Sequence, residues 1–312
     1  MRQPDGTTAG FGLTPLAGGH SGETFLGEAA GERTVVRVYA GRGATRGPEA
    51  PVVDAAVLRL VRGLLPVLHV LEVQRPREGV PGLLATSFLP GTRLDELLPR
   101  LPEDARYRLG HELGGLVGRL ACMPLLRRGG FVDGELTVRP WPVGDLPGMV
   151  EQLREGSALA DWDAAAYQAL VEVADRAQDL LDRVARTCLV HSDLNPKNLL
   201  VDPATAEVTG VLDWEFAHAG VPGADLGNLL RFEREEVFAG AVLDAYRSTV
   251  PDVGDDVGED VLDTARAADL IALVDLAARR GENVVTEQAH HLLTAVAASG
   301  DLHAVPGSRA DA

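Results

Sequence analysis

The stretch that most limits what this chain can fold into runs from His191 to Glu215. It reads His191-Ser192-Asp193-Leu194-Asn195-Pro196-Lys197-Asn198, then two short apolar runs, then Asp213-Trp214-Glu215. Residues 199–201 and 208–212 favour strands and flank Asp202-Pro203-Ala204-Thr205, which is turn chemistry, so the segment predicts an antiparallel hairpin. In a pair closed near Thr205, Asn198 falls opposite Asp213, although fifteen residues separate them in sequence. An amide oxygen and a carboxylate so placed suit Mg²⁺, which takes few protein ligands and keeps waters and phosphate oxygens. Asp193 lies five residues before Asn198 on the loop, free to face a hydroxyl and accept its proton. His191 reads as a structural residue orienting the loop, because Asp193 already fills the proton-acceptor role. Together H-x-D-x-x-x-x-N and the later Asp supply what phosphoryl transfer requires.

The runs H-S-D-L-N-P-K-N-L-L-V-D, V-L-D-W-E and, around Asp225, P-G-A-D-L-G-N resemble the aminoglycoside phosphotransferase and choline kinase-like family, distant relatives of the protein kinases. The likeness runs from about residue 11 to residue 230 and is strongest over 189–229. It implies an α+β, protein kinase-like fold of two lobes with the nucleotide in the cleft. Residues 1–90 would form a small antiparallel β-sheet lobe that binds the nucleotide. Residues 91–300 would form a larger, mainly helical lobe for catalysis and acceptor binding, and 301–312 a disordered tail. The resemblance further implies Asp193 as catalytic base, Asn198 and Asp213 as metal ligands, and Asp225 as a brace on the catalytic loop. ATP or GTP would be the co-substrate, with Mg²⁺.

The amino-terminal part agrees with that picture. Residues 11–16, 24–28 and 34–39 read as three strands. Gly18, Gly19, Ser21 and Gly22 link the first two, and glycines there let backbone N–H groups approach phosphate oxygens. Arg37 stands on the third strand where kinases usually carry Lys. An acid on the next helix is its expected partner, Asp54 or alternatively Glu49; Arg presents a planar, always charged fork to carboxylate or phosphate. Ser87, Phe88 and Leu89, after the strand-like 83–85, match the family's connection between lobes, whose backbone meets the nucleotide base. Lys197 is the sole lysine against 28 arginines; it reads as a contact to the transferred phosphate or as a solvent-facing loop residue.

With 312 residues and 46% apolar content the chain can bury a sizeable core. No apolar run of eighteen residues occurs and no signal-like start is present, so the expected location is cytoplasmic. Cys122 and Cys188 have no disulfide or metal spacing and read as buried thiols. Leu109, Leu113, Leu116, Val117 and Leu120 follow helical spacing, while Gly110, Gly114 and Gly118 form a second stripe that admits a close neighbour. Leu170, Val173, Ala174, Ala177, Leu181 and Val184 mark another helix, and residues 129–148, with Trp141, an irregular insertion walling the acceptor pocket.

Charge is unevenly shared. Residues 1–90 carry nine Arg and eight acids, whereas 91–312 carry 20 basic and 38 acidic residues, a net of −18. Such a field attracts cationic small molecules and repels nucleic acid and anionic membranes. Glu215, Glu233, Glu236 and Asp269, with Glu235 and Asp275, are the candidate contacts to a cationic acceptor. The sequence therefore predicts a small-molecule O-phosphotransferase acting on an aminoglycoside or other antibiotic. A metabolic kinase for a sugar, amino alcohol or homoserine-like acceptor and an inactive nucleotide-binding regulator are the alternatives.

Overall fold

A computed structural model describes residues 12–16, 23–29, 31–142, 144–250 and 261–306. The elements begin with strands β1 (Gly12–Pro15), β2 (Glu23–Ala29) and β3 (Glu32–Tyr39), helix α1 (Ala50–Val61), strands β4 (Val70–Gln74), β5 (Gly82–Ser87) and β6 (Thr92–Arg93) and helix α2 (Leu94–Leu97). Next come α3 (Glu103–Ala121), β7 (Gly129–Phe131), β8 (Val138–Arg139), α4 (Leu146–Arg154), α5 (Ala164–Asp182) and β9 (Cys188–Val190). Strands β10 (Leu199–Val201), β11 (Val208–Val211) and β12 (His218–Gly220) are followed by α6 (Ala224–Leu229), α7 (Glu236–Thr249), α8 (Val261–Ala278) and α9 (Val284–Ser299).

The chain divides into two compact units. The first holds the residues up to Leu97 together with Phe131–Thr137 and Lys197–Glu215; the second holds Leu98–Gly130, Val138–Pro196 and the chain from Phe216 onward. The division thus falls at Leu97 rather than residue 90, and the β10–β11 hairpin joins the first unit. The physical reason is strand pairing: β10 is hydrogen-bonded to β6 as well as to β11. Thr209 Oγ1 also donates to the Pro90 carbonyl at 2.7 Å.

The first unit is built on a five-stranded antiparallel sheet in the order β1-β2-β3-β5-β4. Arg37 sits on the inner strand β3, opposite Thr24 on β2 and Leu84 on β5. Helix α1 begins with Pro51 in its first turn, where a missing N–H costs nothing, and buries Val53, Ala55, Val57, Leu58 and Val61.

The second unit is mainly helical. Its core gathers Leu170, Val173, Ala174, Ala177, Leu181 and Val184 with apolar residues of α4, α8 and α9. The glycine stripe of α3 lies against α7: a Cβ on Gly114 would stand 2.1 Å from the Val242 carbonyl oxygen, and one on Gly110 2.7 Å from that of Phe238. Residues 129–148 are more regular than expected, because Gly129 and Gly130 pair with β12 in a sheet ordered β8-β7-β12-β9. Trp141 packs edge-on against His218 at 5.7 Å between ring centroids.

Two further expectations are corrected. The tail is ordered as far as residue 306: Leu302 and Ala304 pack on the helical core, and Arg234 donates to the carbonyls of His303 and Ala304 at 2.9 and 2.8 Å. Residues 307–312 lie outside the described residues. Cys188 is buried, which pushes its thiol up to about 12, but Cys122, the residue after α3, is exposed. No helix among the described residues is long and apolar enough to cross a membrane.

Candidate active site

The second unit holds the loop from His191 to Pro196. His191 follows β9, is fully buried, and accepts the Asp193 amide hydrogen on Nδ1 at 3.2 Å. Asp225, in the first turn of α6, accepts the amides of His191 and Ser192 at 2.9 and 2.8 Å, one on each carboxylate oxygen. Burial raises the Asp225 pKa, and the two amide donors oppose that rise. Ser192 has φ 67°, a left-handed conformation disfavoured for a residue with a Cβ; the Asp225 bonds hold the turn in it. The loop therefore presents Asp193 half-buried, with Oδ1 accepting from Asn195 Nδ2 at 2.6 Å.

The first unit holds the hairpin residues. The register pairs Leu199 with Val211 and Leu200 with Gly210, then slips so that Val201 faces Val208. The turn closes with the Asp202 amide on the Glu207 carbonyl, ahead of the expected closure near Thr205, and the Asn198 carbonyl accepts the Leu212 amide at 2.8 Å, so Asn198 lies opposite Leu212 rather than Asp213. Asp213 follows immediately with φ 61°, and Trp214 is buried with Nε1 donating to the Val211 carbonyl at 3.0 Å. Lys197 is exposed in the turn before β10, and Asn198 is buried. Among the described residues no three His, Cys, Asp or Glu cluster as metal ligands. Asn198 and Asp213 supply two hard oxygen donors from adjacent register positions, a set that suits a cation completing its shell with phosphate and water.

Arg37 differs most from expectation. Its guanidinium donates to Asp213 Oδ1 at 3.1 Å and Glu215 Oε2 at 2.5 Å. Asp54 is instead held by Arg46 through two 2.8 Å bonds and by the Tyr39 hydroxyl at 2.6 Å, and Glu49 pairs with Arg75. Arg46 also donates to the Glu215 carbonyl at 2.7 Å. Burial lowers the Arg37 pKa, but Asp213 and Glu215 more than offset this and raise it. Burial and Asp54 likewise raise the Tyr39 phenol. Arg46 ends a short 3₁₀ helix (Gly41–Arg46) whose sequence carries no apolar period, whereas Glu215 stands two residues from Asp213 across a buried Trp.

Two of the acceptor candidates are held in ion pairs. The Glu215 side chain is 4% exposed and locked against Arg37, with Arg46 at 3.7 Å. Asp269 on α8 is buried and bound in a two-pronged pair by Arg231 at 2.8 and 2.6 Å. Glu233 is half-buried, Glu236 is exposed at the start of α7, Glu235 caps that helix, and Asp275 pairs with Arg279. Ser87 Oγ accepts the His69 amide at 2.9 Å, Arg33 stacks 3.8 Å over the Phe88 ring, and Leu89 is half-buried. Gly18, Gly19, Ser21 and Gly22 lie outside the described residues.

Residues 12–257 match the model of the phosphotransferase enzyme family. The chain belongs to that family. Solved structures similar in fold include aminoglycoside phosphotransferase APH(4)-Ia, at 16% identity and TM-score 0.65 over 93% of this chain and 94% of that one. APH(2")-IIIa matches at 18% identity and TM-score 0.66 over 93% and 94%. Choline kinase LicA from Streptococcus pneumoniae matches at 16% identity and TM-score 0.61 over 92% and 93%. The fold is therefore the α+β, protein kinase-like, two-lobed one. Acyl-CoA dehydrogenase family member 10 of Mus musculus is 50% identical over 46 residues, which are 15% of this chain and only 4% of that protein's length.

Proposed function

We propose that this chain transfers the terminal phosphoryl group of ATP or GTP, with Mg²⁺, directly to a hydroxyl of a small molecule. The observation that carries the reading is the Arg37–Asp213 contact in the first unit. A phosphate-reading cation on β3 meets a carboxylate 176 residues away, next to the register position of Asn198. Asn198 and Asp213 would hold the metal, which when bound neutralises charge on the phosphate oxygens. Arg37, tethered by Glu215, brings a planar fork to the same phosphates. Asp193, fixed through His191 and Asp225, orients the acceptor hydroxyl and takes its proton. APH(4)-Ia has been solved with ADP and hygromycin B, and APH(2")-IIIa with GDP and kanamycin, so either base is consistent with the fold. A cytoplasmic location fits the need for a nucleoside triphosphate.

For the acceptor, the burial of Glu215 and Asp269 in ion pairs favours a hydroxylated metabolite over a polycationic antibiotic, which would need accessible carboxylates. The acidic excess of residues 91–312 supports the antibiotic as the second reading. Mg²⁺-dependent ADP or GDP release would be measured with aminoglycosides, macrolides, amino alcohols, sugars and hydroxy acids. Release stimulated by one class, and reduced about 10²–10⁴-fold in Asp193→Ala with nucleotide binding retained, is the expected result. Metal-dependent nucleotide binding with no stimulated release would favour the regulator instead.

A further inference from the structure

The second unit contains a buried charge imbalance that the phosphotransfer residues do not use. Arg266 on α8 is 8% exposed, and its Nε and Nη1 atoms are buried without a hydrogen-bond partner among the described residues. Asp269 lies one helical turn on, at the i+3 position that shares a helix face. Both Asp269 oxygens are already taken by Arg231. Arg234 is tied to the same place, donating to the Arg231 carbonyl at 3.1 Å and to the His303 and Ala304 carbonyls. Three guanidinium groups therefore feel the charge of Asp269, whose two oxygens both bond to Arg231. Burial and the neighbouring Arg234 push Arg266 down to about 10, which still leaves it charged at neutral pH.

The packing leaves Arg266 no easy escape. Gly227 of α6 faces α8 so closely that a Cβ there would lie 2.1 Å from the Ala265 carbonyl oxygen and 2.7 Å from Asp269 Cβ. Burying a cation without a partner is costly, and a charged group is retained in such a place when something of opposite sign satisfies it. The same helix joins this cluster to the catalytic loop. The first turn of α6 supplies Asp225, and Arg231 stands two residues beyond the helix end at Leu229.

We propose that Arg266, with Arg234 and Arg231, binds an oxyanionic group, carboxylate or phosphate, on the acceptor whose hydroxyl Asp193 activates. This rests on the phosphotransferase reading for its acceptor and on the buried cluster for its charge. Diffuse acidity of the surface does not decide the matter, since exposed charges are screened by salt within about 10 Å while buried ones are screened much less.

Orthophosphate and acetate are the probes, titrated separately into the full chain at low ionic strength and followed by calorimetry and thermal melting. Wild-type protein should bind one of them saturably and melt at higher temperature; which one it is distinguishes a phosphorylated from a carboxylated acceptor. Arg266→Met, matched in shape and free of the unpaired charge, should fold, bind at least tenfold more weakly and lose the thermal shift. Arg266→Lys should recover part of the binding, and Asp193→Ala should keep it. Failure of both anions to bind, or equal binding by Arg266→Met, overturns the site. In turnover, hydroxycarboxylates or phosphorylated alcohols should exceed their neutral counterparts at least tenfold in kcat/KM, and Arg266→Met should raise KM more than it lowers kcat. Equal kcat/KM for charged and neutral acceptors overturns the assignment to the acceptor. Anion binding that depends on Arg266, without stimulated nucleotide release by any acceptor, would sink the transferase reading and leave the anion site.

Discussion

Each unit buries a network of arginines and carboxylates, and the two differ in which sign is left over. In the first unit Arg37 and Arg46 meet Asp54, Asp213 and Glu215, so carboxylates exceed guanidiniums and the network suits an added cation. In the second, Arg231, Arg234 and Arg266 gather around Asp269, whose oxygens Arg231 takes, so buried donors of Arg266 are left over and the network suits an added anion. The chain's formal charge of −17 predicts neither surplus. Ligand sign is set by the pairing inside each buried network, where screening is weak, rather than by the count over the surface.

The largest effect should come from removing the carboxylate of the first network that faces its ligand. Asp213→Asn should cost on the order of 10²–10³ in kcat/KM and abolish the enhancement of nucleotide binding by Mg²⁺, read by steady-state kinetics and calorimetry. Next, Asp269→Ala should destabilise the protein by about 4 kcal/mol in denaturant unfolding, because it strands Arg231 in the interior. The double change Arg231→Met with Asp269→Leu should recover most of that loss; a double variant as unstable as Asp269→Ala would mean that the pair is not what matters. Glu215→Ala leaves Arg37 on Asp213 and Arg46 on Asp54, and should cost less, about 2 kcal/mol for the charged hydrogen bond lost. Arg266→Met should move the other way, gaining about 1 kcal/mol without ligand, since no partner among the described residues is lost.

The smallest effect is a pH dependence at His218. Burial lowers its pKa, while its Nδ1 lies 3.0 Å from the Phe216 carbonyl. Below about pH 6.5 the unfolded chain binds a proton that the folded protein resists, so stability should fall as pH drops through that value. The slope is at most about 1.4 kcal/mol per pH unit, and a His218→Gln variant should flatten it.

Much of this architecture is legible in the sequence, for identifiable reasons. The hairpin that carries Asn198 and Asp213 is local, with turn residues between two apolar runs. The four-residue glycine spacing of α3 likewise announces its close packing. What escapes depends on tertiary context. The turn closes between Asp202 and Glu207 and the register slips by one beyond Leu200, which together set Asn198 opposite Leu212, and nothing in a period-two pattern marks either. Asp54 stands where an acid was expected, yet Arg46 at the end of a short 3₁₀ helix takes it, leaving Arg37 to Glu215 and Asp213. Arg266 is hidden because an arginine on a helix reads as a solvated charge until its neighbours are known.

The most direct measurement is a paired titration of wild-type protein, Asp213→Asn and Arg266→Met, each with ADP in the presence and absence of Mg²⁺ and, separately, with orthophosphate and acetate. The two-network account predicts a double dissociation. Asp213→Asn loses the Mg²⁺ effect and keeps anion binding, while Arg266→Met loses anion binding and keeps the Mg²⁺ effect. Loss of both responses in either variant, or of neither, would contradict it.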